Sequence, residues 1–190
     1  MKLVSFGNTY HVYGDDVKTY DLLPAGYYRI EYDSMTGYSI KKLDHEFEIN
    51  EKVYGVNQEK VRKVLNSYKL FQRNLGVLLS GNKGIGKSMF AKMLAIACVK
   101  QGLPVISITS NTPGLATFLE DLNQEAMFLF DEFDKTFGFR DTDKNVDAQS
   151  SLLTLFDGTT ALSKRLFVVT CNDLYNLNDF LVNRPGRFHY

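Results

Sequence analysis

Cysteine is scarce in this sequence. Cys98 and Cys171 are the only two, they lie far apart, and neither has a second cysteine or a histidine beside it. That spacing excludes a disulfide scaffold and a zinc site of paired cysteines. Cys98 falls in an apolar pattern of helical period and Cys171 ends an apolar strand pattern, so both are expected as core thiols in a reducing, cytoplasmic setting. An excess of charge of one sign is also lacking: 22 basic and 22 acidic residues leave a formal net charge of +0. A protein that coats nucleic acid carries a basic excess, so only a local basic surface stays open. No apolar run approaches the roughly 18 residues that span a bilayer. The N-terminus "MKLVSFGNTYHVYGDD" lacks the apolar core of a signal peptide, so no membrane association is expected. Internal repeats and low-complexity segments are lacking too.

What is present suits a globular protein. The length of 190 residues holds one sizeable core, or a core with a small appended domain. Composition shifts near residue 50. Tyr10, Tyr13, Tyr20, Tyr27, Tyr28, Tyr32 and Tyr38 all precede it. "YRIEYD" alternates with the period of a half-buried strand, "SMTG" reads as a turn, and "YSIKKL" as the return strand. Residues 1–50 are therefore predicted as a small β-rich domain, its tyrosines serving core and edge packing. Residues 51–190 read differently. Val61, Val64, Leu65 and Tyr68 recur at helical spacing, with Lys60, Arg62, Lys63 and Lys69 on what reads as a solvated face. Strand patterns at 75–80, 104–109, 126–130 and 166–171 then alternate with helical patterns at 90–98, 115–122 and 149–156. That alternation predicts an α/β fold with a parallel sheet covered by helices on both faces.

Residues 81–88, "GNKGIGKS", carry the first chemistry. Gly81, Asn82, Lys83, Gly84, Ile85, Gly86, Lys87 and Ser88, with Met89 after them, fit the phosphate-binding loop G-x-x-x-x-G-K-[ST]. Glycines let main-chain N–H groups wrap a phosphate, and the helix that follows adds its dipole. Lys87 would reach the β- and γ-phosphates and Ser88 would ligate Mg²⁺. A bare glycine-rich turn with an exposed lysine competes, but a strand runs into this stretch and a helix leaves it. In "MFLFDEFD", Asp131 and Glu132 follow an apolar strand and emerge at its C-terminal end, where open α/β sheets bind ligands. Asp131 suits Mg²⁺, and Glu132 suits a general base for water. Asn172 ends the next strand, placed to orient a lytic water.

"TCNDLYNLNDFLVNRPGRFHY" (170–190), with "QSSLLTLFDG" (149–158) before it, resembles the second region of homology of AAA ATPases. The resemblance covers 53–190. It implies a P-loop sheet domain that binds ATP and Mg²⁺, with Asn172 as the sensor beside the γ-phosphate. "VYG" at 53–55 is similar to the family's adenine-contacting linker and implicates Tyr54. By position, Arg184 and Arg187 match arginines that act in trans on a neighbour's nucleotide. The resemblance thus implies an ATPase that remodels a protein or nucleic-acid partner as a homo-oligomer, a hexameric ring where a helical lid is present. The alternative is an ATP-bound assembly module with negligible turnover. Three departures stand out. His189 occupies a position that is often Asp. "SNTPGL" lacks the aromatic–apolar–Gly run of a threading loop, although "FGFR" (137–140) offers a second pore loop. The sequence stops where the lid would begin.

Overall fold

The computed structural model describes residues 1–44, 57–138, 144–157 and 163–177. β1 (Lys2–Phe6) and β2 (Thr9–Tyr13) form an antiparallel hairpin that is a sheet of its own. β3 (Tyr27–Asp33) and β4 (Gly37–Lys42) form a second hairpin. After α1 (Asn57–Leu70) come β5 (Leu75–Ser80), α2 (Lys87–Lys100), β6 (Val105–Ile108) and α3 (Leu115–Asp121). β7 (Met127–Phe130), the single-turn α4 (Phe133–Thr136), α5 (Lys144–Asp157) and β8 (Leu166–Cys171) complete the order. A 3₁₀ turn at Leu174–Asn176 follows, with the Asp173 carboxylate accepting from the Tyr175 N–H at 2.9 Å.

The main sheet has six strands in the order β4-β3-β6-β7-β8-β5, parallel except for the antiparallel edge strand β4. Strand alternation splits the core in two. Leu75, Val77, Val105, Met127, Leu129, Leu166 and Val168 face α1 and α2. Ile106, Ile108, Phe128, Phe130, Phe167 and Val169 face α3, α4 and α5. Burial on both faces explains why these strands read as unbroken apolar runs. On the second face Phe130 meets Phe133, Phe137 and Phe156 edge-on at 5.8, 5.8 and 5.6 Å, a geometry that aromatic quadrupoles favour. This cluster stiffens the layer directly beneath the end of β7.

Residues 27–42, read in the sequence as part of the β-rich stretch through residue 50, also join the main sheet. β3 pairs in parallel with β6, in the register Tyr27↔Val105 and Tyr28↔Ile106. Tyr27 packs into the α1–α2 side of the core and Tyr28 into the other. These strands therefore extend the main sheet, and among the described residues the β1–β2 hairpin forms the separate sheet. The physical reason is edge protection: an open flank of β6 exposes unpaired main-chain groups, and β3 with β4 covers it. The tyrosines divide accordingly. Tyr27 and Tyr28 are buried, Tyr38 is half-buried between Tyr32 and Phe118, and Tyr10, Tyr13, Tyr20 and Tyr32 are exposed rather than core.

At the opposite end of the sheet, buried Arg165 donates from Nη2 to the Glu120 and Leu122 carbonyls at 2.9 Å each. A cation there satisfies carbonyls that the end of α3 leaves open. Asn74 accepts from the Arg165 N–H at 2.9 Å and donates to Leu155 O at 3.2 Å. The floor of the sheet is thus pinned, while its C-terminal edge carries the loops.

Candidate active site

β5 ends at Ser80 and the chain turns through residues 81–86 into α2. Glycine is favoured at Gly81 and Gly86 by the backbone itself. Gly81 has φ 135°, and a Cβ on it would meet Ile85 Cδ1 at 2.5 Å; Gly86 has φ 93° immediately before the helix. Both lie where L-residues are disfavoured. α2 starts with no side-chain cap, so its first N–H groups are left for another acceptor.

The Lys87 ammonium lies across this turn. It donates to Gly81 O at 2.6 Å, Asn82 O at 2.9 Å and Asn172 Oδ1 at 3.0 Å. An ammonium has three protons, so this set uses all of them. The bond to Asn172 joins the end of β5 to the end of β8, which are paired from Leu75↔Leu166 to Ser80↔Cys171.

On the other side of β8, β7 delivers Asp131 and Glu132. Glu132 has φ 51° and ψ 48°, and is the one non-glycine residue with positive φ among those described. Left-handed backbone costs an ordinary L-residue about 1–2 kcal/mol, strain of a kind that gathers at functional sites. It turns the chain out of the strand and into α4. The Glu132 carboxylate forms an ion pair with Lys135. That bond, helped by the charges of Lys135, Lys83 and Lys87, holds its carboxyl below the usual glutamate range. Asp131 Oδ1 accepts from Thr170 Oγ1 at 2.5 Å, and Glu132 N donates to the same Thr170 oxygen at 2.9 Å.

These groups surround a cleft of about 340 Å³. Lys83, Lys87, Ser88, Glu132, Thr170 and Asn172 line it, with Gly84, Gly86 and Met89. The predicted phosphate loop, base and sensor therefore converge at the C-terminal ends of β5, β7 and β8. Gly81 and Asn82 take part through their carbonyls on Lys87, and Asp131 joins through Thr170. Ile85 points elsewhere. With Val64, Val77, Leu79 and Phe90 it lines a mainly apolar cavity of about 430 Å³ on the other side of the loop, where Asn57, Lys60 and Lys63 of α1 also reach. The sequence reading missed Thr170 and this cavity. Thr170 sits inside an apolar strand and, although it opens the 170–190 run, no role attached to it there; the cavity needs α1 to fold back onto the loop. Tyr54, Arg184 and Arg187 lie outside the described residues, as do His189 and the end of the "FGFR" stretch.

Among the described residues no group of three or more His, Cys, Asp or Glu side chains converges on a metal position. A Mg²⁺ ion that keeps waters and phosphate oxygens as ligands needs only one or two protein oxygens, such as the Ser88 hydroxyl and the Asp131 carboxylate. Cys98 and Cys171 are buried and free, and burial pushes their thiols up to about 12 and about 11. They are inert core groups. No helix among the described residues is long and apolar enough to cross a membrane.

Residues 77–190 match the ATPase family associated with various cellular activities, AAA. The chain belongs to the AAA family. The match begins within β5, so the sheet-extending β3–β4 hairpin and α1 lie ahead of it. AAA membership makes this a protein of a nucleotide-binding ATPase family and accounts for the phosphate loop at the mouth of the sheet. No curated protein matches the chain.

Proposed function

We propose that this AAA protein binds Mg-ATP in the 340 Å³ cleft, hydrolyses it, and uses the cycle to remodel a protein or nucleic-acid partner as a homo-oligomeric ring. The observation that carries the reading is the convergence of Lys87, Ser88, Glu132 and Asn172 on one cleft. Residues 81–88 would wrap the phosphates with main-chain N–H groups, and Lys87 would exchange its loop carbonyls for phosphate oxygens. The base would enter the apolar 430 Å³ cavity beside Ile85 and Phe90, with Tyr54 of the preceding linker against it. Ser88 and Asp131 would hold Mg²⁺, which neutralises charge on the phosphates when bound. Glu132, kept ionised by Lys135, Lys83 and Lys87, would take a proton from the attacking water. The Asn172 amide, already in the cleft, would orient that water. Arg184 and Arg187 would complete the site of an adjacent subunit by stabilising charge in the transition state. Buried free thiols suit a reducing, cytoplasmic setting.

Steady-state ATP turnover over a protein concentration series tests this. Turnover per subunit that rises cooperatively supports a ring whose sites are shared between subunits. Tight Mg-ATP binding without turnover, in protein shown to form rings, favours the static assembly module instead.

A further inference from the structure

Thr170 lies in β8, two residues before Asn172 at the strand's exit, and both side chains line the same cleft. The residue has 1% exposure, and yet it lines the cleft. Its single oxygen contacts both members of the acidic pair, Asp131 Oδ1 at 2.5 Å and Glu132 N at 2.9 Å. The direction of these bonds follows from chemistry. An ionised carboxylate only accepts, so the hydroxyl proton goes to Asp131, and a lone pair is left for the Glu132 N–H. The bond to Asp131 has the length of a charge-assisted O–H···O⁻ contact. The bond to Glu132 falls on the one described non-glycine residue in the left-handed region. Val169, the neighbour of Thr170, is paired with Phe130 at the end of β7, so the hydroxyl is held by the sheet itself.

We propose that Thr170 is a positioning residue for hydrolysis. Through one buried hydroxyl it fixes the Asp131 carboxylate and the left-handed Glu132 main chain as a unit, so that the Mg²⁺ ligand and the water-activating base keep their relative placement. Asp131 keeps its second oxygen free for the ion. The proposal rests on the hydrolysis reading given above.

Thr170→Val keeps shape and volume and deletes the hydroxyl; Thr170→Ser keeps the hydroxyl. Two measurements on the 190-residue chain separate the outcomes. Without nucleotide, the Glu132 amide proton should exchange with solvent about tenfold faster in Thr170→Val than in wild type, the loss of one hydrogen bond, and Thr170→Ser should restore slow exchange. In turnover, Thr170→Val should lower kcat by about 10- to 100-fold, the effect of a sub-ångström to ångström misplacement. KM for ATP should stay near wild type and the serine variant should recover the rate. Unchanged Glu132 exchange in the valine variant overturns the proposal, and so does faster exchange with unchanged kcat. A serine variant as impaired as valine overturns it as well. Should wild-type protein shown to form rings hydrolyse no ATP, the hydrolysis reading fails on its own, and the amide-exchange comparison still upholds or overturns the anchoring.

Discussion

Replacing Lys87 by methionine removes an ammonium that holds the phosphate loop together before any nucleotide arrives. The side chain donates to two loop carbonyls and to Asn172 at 2.6, 2.9 and 3.0 Å. Hydrogen bonds to charged groups contribute about 1.5–3 kcal/mol each when desolvated, but Lys87 is only half-buried. Solvent screening cuts the three together to about 1.5–2 kcal/mol. A cation in the first turn of α2 opposes the helix dipole by about 0.3–1 kcal/mol, and methionine relieves that. The net loss is about 1 kcal/mol, which lowers Tm by about 2–4 °C in a chain of this size. Thermal melts of nucleotide-free protein read this directly. Mg-ATP at a hundred times Kd should then raise wild-type stability by about 2.7 kcal/mol and leave Lys87→Met unmoved. The reasoning is refuted if the nucleotide-free variant melts within about 1 °C of wild type, as a plain surface substitution would. In that case the lysine does not tie the loop to β8. Binding of Mg-ATP by Lys87→Met with wild-type affinity would remove the phosphate assignment as well.

Glu132→Gln should bind Mg-ATP about as well as wild type by calorimetry while losing on the order of 10²–10⁴ in turnover; equal rates in the two proteins move the base elsewhere. Because Lys135 and nearby lysines lower the Glu132 carboxyl, that carboxyl stays ionised above the ordinary glutamate value of about 4.3. Its titration should put no slope in the rate between pH 6 and 8, and an acid limb centred near pH 6 would contradict this. Arg187→Ala should lower turnover by about 10³ or more with little change in ATP affinity, and mixing it with Lys87→Ala subunits should recover partial activity. Mixtures that stay inactive in protein shown to form rings would return the arginine to a structural or partner-binding role. Phe130→Ala deletes a fully buried ring at the centre of the aromatic cluster and should cost about 3–5 kcal/mol in urea unfolding. A loss under about 1 kcal/mol would mean that the cluster collapses to fill the space.

Short-range order was legible in the residues. Apolar runs marked β5, β7 and β8 because each strand is buried on both faces. Helical spacing marked α1 because Val61, Val64, Leu65 and Tyr68 share one buried stripe. The glycines of 81–88 stand where the backbone enters a region that other residues rarely adopt, so that motif favours its own geometry. Asp131, Glu132 and Asn172 were readable as strand-end residues, since a parallel sheet brings strand ends to one edge.

Strand order was decided only by the tertiary structure. A period of two says that a segment is extended but not which strand it pairs with, and the β3–β4 hairpin could have closed on itself. Its place beside β6 follows from an unpaired edge more than seventy residues downstream in sequence, a long-range demand that no local pattern carries. The same limit hid the polar links of the site. Lys87 with Asn172, and Thr170 with Asp131 and Glu132, join residues from different strands. Local context marked four of these five residues but not which of them touch, and their bonds exist because β5, β8 and β7 lie side by side. Residue types and spacing thus determined which chemistry the chain holds. The packing of the sheet decided which of those groups touch, because hydrogen bonds between strand ends depend on strand order and register, and both come from the collapse of the whole core.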